Sequence, residues 1–93
     1  MMNDFLITRI LPGYDYPKTQ IFKSDKKNIL EILRDCELQE LGYESVKEFE
    51  EYEGQTLSLE DIQLQYFASE DLICLLVNLD TKKILVENGD IIQ

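Results

Sequence analysis

The run Leu-Ile-Cys-Leu-Leu-Val at 72–77 is the longest apolar stretch of this 93-residue chain and the feature that most limits its fold. It is far shorter than the ~20 apolar residues a membrane-crossing helix needs. Its length and its branched side chains predict a buried strand over 71–79. A buried strand needs hydrogen-bonding neighbours, and the residues that follow supply them. Asp80-Thr81-Lys82-Lys83 reads as a turn, 83–87 (Lys-Ile-Leu-Val-Glu) pairs back, and Asn88-Gly89 is a strong tight-turn signal. Residues 90–93 can add a last short strand, so the C-terminal third predicts an antiparallel meander.

The N-terminus has the same character. Residues 4–11 (Asp-Phe-Leu-Ile-Thr-Arg-Ile-Leu) are rich in β-branched and aromatic side chains and predict a strand. Pro12-Gly13-Tyr14-Asp15-Tyr16-Pro17 punctuates it as a loop, and the alternation returns over 18–23, giving an N-terminal hairpin. At residue 24 the period changes. Ile29, Ile32, Leu33 and Cys36 recur at the spacing of one helix face, and this predicts a helix over 24–42. Ser24 or Asp25 is expected to cap its start, and Gly42 its left-handed end. A second, short acidic helix is expected over 43–54. Ser45 and Glu48 stand at capping-box spacing, Val46, Phe49 and Tyr52 form a narrow apolar stripe, and Gly54 ends it.

Residues 57–66 read two ways. Leu57 and Leu59 alternate, as do Ile62, Leu64 and Tyr66, and the two sets are out of phase across Glu60-Asp61, as at a bulge. This alternation predicts a strand over Asp61–Ala68. The rival is a helix starting at Ser58 with Asp61 at its third position. The preferred reading is a single α+β domain over 1–93, with an antiparallel sheet of about five strands, two helices on one face and the order ββααβββ.

The content of apolar residues, 44%, and of charged residues, 30%, is that of a folded globular chain. Cys36 and Cys74 are too few for a disulfide framework and read as reduced, buried small hydrophobes. No basic region followed by an apolar run opens the chain, so a cytoplasmic protein is expected. No histidine occurs. That removes Cys-His and Ser-His nucleophile systems, and two cysteines alone cannot build a structural zinc site. The scattered glycines match no phosphate loop, and the acids match no calcium loop. No catalytic residue, metal site or cofactor is assigned, and a non-enzymatic protein is expected.

The net charge of −10 is unevenly spread. Residues 1–34 carry six Lys/Arg and four Asp/Glu, whereas residues 35–71 carry twelve acids against Lys47 alone. Such a field repels nucleic acid and anionic membrane and attracts basic surfaces. Glu44, Glu48 and Glu51 are expected to form a row on the second helix, with Glu50 and Glu53 on a shorter edge and Glu40 approaching from the first helix. Like charges at this spacing cost a few tenths of a kcal/mol per pair. The row resembles the phosphate spacing of duplex DNA, about 3.4 Å per strand. The expected partner is therefore a basic protein surface, in the sharpest version that of a nucleic-acid-binding enzyme. Expected contacts are Glu40, Glu44, Glu48, Glu51, Glu53 and the aromatic Tyr52. A solvated helix face with no partner accounts for the same acids.

Two alternatives stand beside this. One is a shape-based scaffold or immunity-type module using Tyr14 and Tyr16 or a sheet edge, an edge that would also serve homodimerisation. The other is a carboxylate metal-binding domain. In composition, though in no motif, the chain resembles the small acidic inhibitors that phages and mobile elements encode against restriction and CRISPR nucleases. That likeness implies mimicry of nucleic acid and carries over no site.

Overall fold

The expected N-terminal hairpin is formed by β1 (Asn3–Ile10) and β2 (Lys18–Ser24), which pair antiparallel from Asn3↔Ser24 to Arg9↔Lys18. The computed structural model describes residues 2–11, 13, 16–68 and 72–92. The apolar run is strand β3 (Leu72–Asn78), followed by β4 (Lys83–Glu87) and the two-residue β5 (Asp90–Ile91). All pairings are antiparallel and the sheet order is β2-β1-β3-β4-β5. The two hairpin systems meet where β1 lies beside β3, far apart in sequence.

Among the described residues three helices occupy the excursion between β2 and β3: α1 (Ile29–Leu41), α2 (Val46–Glu53) and α3 (Leu59–Phe67). The order is thus ββαααβββ, with three helices where two were expected. The strand predicted over 61–68 is a helix, and the fifth strand is the short β5. The helix prevails because burial follows its period. Ile62 and Tyr66 are fully buried, while Leu64, which an alternating strand would place beside them, is 62% exposed. The Ser58 hydroxyl accepts from the Asp61 N–H and the Asp61 carboxylate accepts from the Ser58 N–H, both at 3.1 Å, a complete capping box. Glu60 and Asp61 also sit well in the first turn of the helix dipole.

The expected cap of α1 is also corrected. β2 runs on through Ser24, whose buried hydroxyl donates to Asp35 at 2.6 Å. The cap is Asn28, whose Oδ1 accepts from Leu30 and Glu31. At the other end Gly42 takes the left-handed conformation, φ 90°, as its position implies.

One core holds these elements together. Phe5, Ile7 and Phe22 from the hairpin and Ile73, Leu76 and Val86 from the meander face Ile32, Leu33 and Cys36 of α1 and Ile62 and Tyr66 of α3. The molecule is about one sheet and one helix layer thick, 34 × 34 × 20 Å. The helix α2 stands outside this core and buries only Phe49.

The outer edge of β2 is blocked by a side chain at Lys23. Gln39 of α1 accepts from the Lys23 N–H at 3.0 Å and donates to the Lys23 carbonyl at 2.6 Å, satisfying both outward backbone groups of that residue.

Substitution of the two α3 leucine-type positions separates helix from strand. Ile62→Ala is expected to lower stability by about 3 kcal/mol and Leu64→Ala by less than about 0.5 kcal/mol in urea denaturation. Equal losses would restore the alternating reading.

Candidate functional site

The acids of the middle third divide by helix. On α1 the expected contact Glu40, and with it Asp35 and Glu37, is engaged by the fold itself. Asp35 accepts from Ser24. Glu37 accepts from the Tyr66 hydroxyl at 3.0 Å. Glu40 lies 3.2 Å from the buried Arg9 guanidinium and 2.5 Å from Lys18 Nζ. Arg9 in turn stacks over the Tyr66 ring at 4.9 Å. Glu40 thus serves as the counter-ion of a buried cation, and its charge is already answered from two sides.

The acids around α2 are different. Ser45 caps the helix by accepting from the Glu48 N–H at 3.1 Å, so the helix begins at Val46 and Glu44 lies just ahead of the cap rather than in a helical row. Glu48 and Glu51 are three residues apart on the helix, and Glu50 and Glu53 flank them. All are exposed, as is Glu44. Among the described residues none of these five carboxylates is in an ion pair with a Lys or Arg. No basic residue lies in the last turn of α2, where Glu51 and Glu53 face the negative end of the helix dipole.

The aromatic part of this surface centres on Tyr43, which the sequence reading did not single out. Its ring packs edge-on against Phe49 at 5.4 Å and tilted against Tyr52 at 6.0 Å. Its hydroxyl donates to the Glu53 carboxylate. That bond to an anion raises the Tyr43 phenol from 10.0 to about 12. Tyr52 is 82% exposed beside the carboxylates. The sequence signal for Tyr43 was its place directly after the helix-ending Gly42, where a chain reversal returns it to the next helix. Tyr16 is 73% exposed on the β1–β2 loop, and Tyr14 lies outside the described residues.

Among the described residues no group of three or more His, Cys, Asp or Glu side chains is arranged to hold a metal ion. A concavity of about 380 Å³ between the sheet and the start of α1 is lined by Lys26, Lys27 and Lys83 and by no carboxylate. Both cysteines are free. Burial raises the Cys36 thiol from 9.0 to about 12, so the native state disfavours the thiolate. Burial likewise raises the Tyr66 phenol, which stays a hydrogen-bond donor to Glu37.

No family model, curated protein or solved structure matches this chain.

Two outcomes follow from this division. Glu40→Ala leaves Arg9 without its carboxylate and is expected to cost about 2 kcal/mol in chemical denaturation, whereas Glu48→Ala and Glu51→Ala leave stability unchanged or raise it slightly. A loss at Glu48 equal to that at Glu40 would contradict the division. The Cys36 shift contributes stability that is complete below pH 9.0 and disappears as pH rises toward 12. In a Cys74→Ala variant, a thiol reagent at about pH 8 should therefore react only once denaturant is added; rapid native labelling would contradict the burial of Cys36.

Proposed function

We propose that this chain is a non-enzymatic interaction protein that binds the basic surface of a partner through the carboxylates around α2. In its most specific form it occupies the cationic groove of a nucleic-acid-binding enzyme in place of phosphate. One observation carries the reading. Asp35, Glu37 and Glu40 of α1 are spent on internal contacts, while Glu44, Glu48, Glu50 and Glu51 stand exposed and unneutralised around Tyr52.

Stability does not account for that arrangement. Like charges three or four residues apart cost a few tenths of a kcal/mol each, and acids in the last turn oppose the dipole by roughly 0.3–1 kcal/mol. A basic partner removes both penalties on binding. Neighbouring positions on a helix face lie about 5–6 Å apart, coarser than the about 3.4 Å phosphate rise of one DNA strand but close enough for flexible lysines and arginines to bridge. Tyr52 adds a rigid amphipathic ring of the kind enriched in interface centres. Binding of this type is fast and strongly dependent on salt.

A shape-based module is the second reading, favoured by the exposure of Tyr16 on the β1–β2 loop. Salt separates the two, since apolar docking survives high ionic strength.

The test is capture of partners from a cell lysate on the immobilised chain, elution on a salt gradient, and competition with duplex DNA. The same capture is run with the double variant Glu48→Lys/Glu51→Lys. A nucleic-acid enzyme released by salt, displaced by DNA and lost in the variant is the expected result. A partner held equally by the folded variant would sink the assignment of the α2 surface.

A further inference from the structure

The helices cover one face of the sheet; among the described residues no element covers the other face, and its centre is apolar. Phe5, Ile7 and Arg9 point into the helix layer, so Leu6, Thr8 and Ile10 point away from it. The pairing registers extend that face across the sheet. Leu6 lies opposite Ile21 on one side and Val77 on the other, and Val77 lies opposite Ile84. The result is a continuous row Ile21–Leu6–Val77–Ile84 over four strands. Ile21 is 64% exposed and Ile84 37%. Ile10 and Leu72, also opposite each other, extend the patch along the strands. An antiparallel sheet with one solvated face normally alternates apolar and polar residues; near-continuous apolar strands belong to sheets covered on both faces. The run at 72–77 is of the second kind.

We infer that a second copy of this chain covers the bare face, giving a two-fold dimer with the layer order helix, sheet, sheet, helix. Two observations favour a copy of the same chain. The first is area. Four strands about 4.8 Å apart and about seven residues long give roughly 440 Å² of plan area per copy. Two copies, with side-chain relief added, reach the roughly 1,000 Å² at which specific interfaces begin. The second is charge. The centre of the patch is uncharged, and none of the carboxylates of residues 35–68 lies on these strands. Sheet-to-sheet contact therefore leaves the two acidic α2 surfaces on separate helix layers.

Edge pairing, the other route to a dimer, is poorly served. Gln39 occupies the exposed backbone groups of Lys23 on β2, and the opposite edge strand is two residues long.

The test is sedimentation of the wild-type chain across a concentration series, alongside its thermal unfolding at the same concentrations. The expected mass is twice 10.9 kDa, with a melting temperature that rises with protein concentration. Ile21→Lys and Ile84→Lys, both at exposed positions, should keep the native circular dichroism and weaken association by at least about thirtyfold. Glu48→Lys/Glu51→Lys should leave association intact, which keeps this result separate from partner binding at α2. A wild-type mass of 10.9 kDa with a concentration-independent melting temperature overturns the dimer. Dimers that persist in both folded lysine variants overturn the face. Should either variant unfold, the wild-type concentration dependence together with the remaining variant decides.

Discussion

Pairing of β1 with β3 is the contact on which the rest of this molecule depends. It joins an N-terminal hairpin to a C-terminal meander across an excursion of three helices. Closing so long a loop is entropically unfavourable, and β-pairing alone returns little until side chains are buried. The compensation comes from the helix-facing residues of the two strands. Ile7 lies opposite Leu76, and that pair forms the floor on which Ile32, Leu33 and Ile62 pack. A fully buried aliphatic side chain contributes roughly 1.5–3 kcal/mol, so the helices that separate the two strands are also what holds them together.

The same packing explains how the negative charge is distributed. α1 lies across the hairpin, so its polar residues meet the hairpin's cations and backbone: Glu40 meets Arg9 and Lys18, Asp35 meets Ser24, and Gln39 closes the β2 edge. α2 is held by Phe49 against Tyr43 and touches too little of the molecule to be neutralised by it. Acids that looked equivalent along the chain thus have different roles. Those under α1 maintain the fold, and those on α2 are left for solvent or a partner.

Much of the architecture was legible in the chain. Period-two alternation marked the hairpin, the apolar run marked β3, and Asn88-Gly89 marked the last turn, where Gly89 has φ 84°. Gly42, Ser45 and Gly54 marked helix ends correctly because capping is local chemistry. The error at 61–68 arose where local evidence was balanced. Ile62, Leu64 and Tyr66 fit an alternating strand, while Leu59, Ile62 and Tyr66 fit a helix equally well. Only the exposure of Leu64 in the packed molecule separates the two patterns. Ser24 and Asp25 failed as caps for a related reason: β2 extended to pair Ser24 with Asn3, and the helix could start only after the chain had turned at Asn28.

The amino-acid sequence determined that this is a histidine-free α+β domain with its acidity in the middle third, because periodicity, capping and net charge are properties of neighbouring residues. It also made Glu48 and Glu51 neighbours on one helix, since helical spacing alone brings them together. Which acids remain free, which leucine of α3 faces water, and that Leu6, Ile21, Val77 and Ile84 form one uncovered row were decided by tertiary structure. Those properties depend on strand register and on which helix lies over which strand, and both are set by long-range packing between segments that the chain keeps far apart.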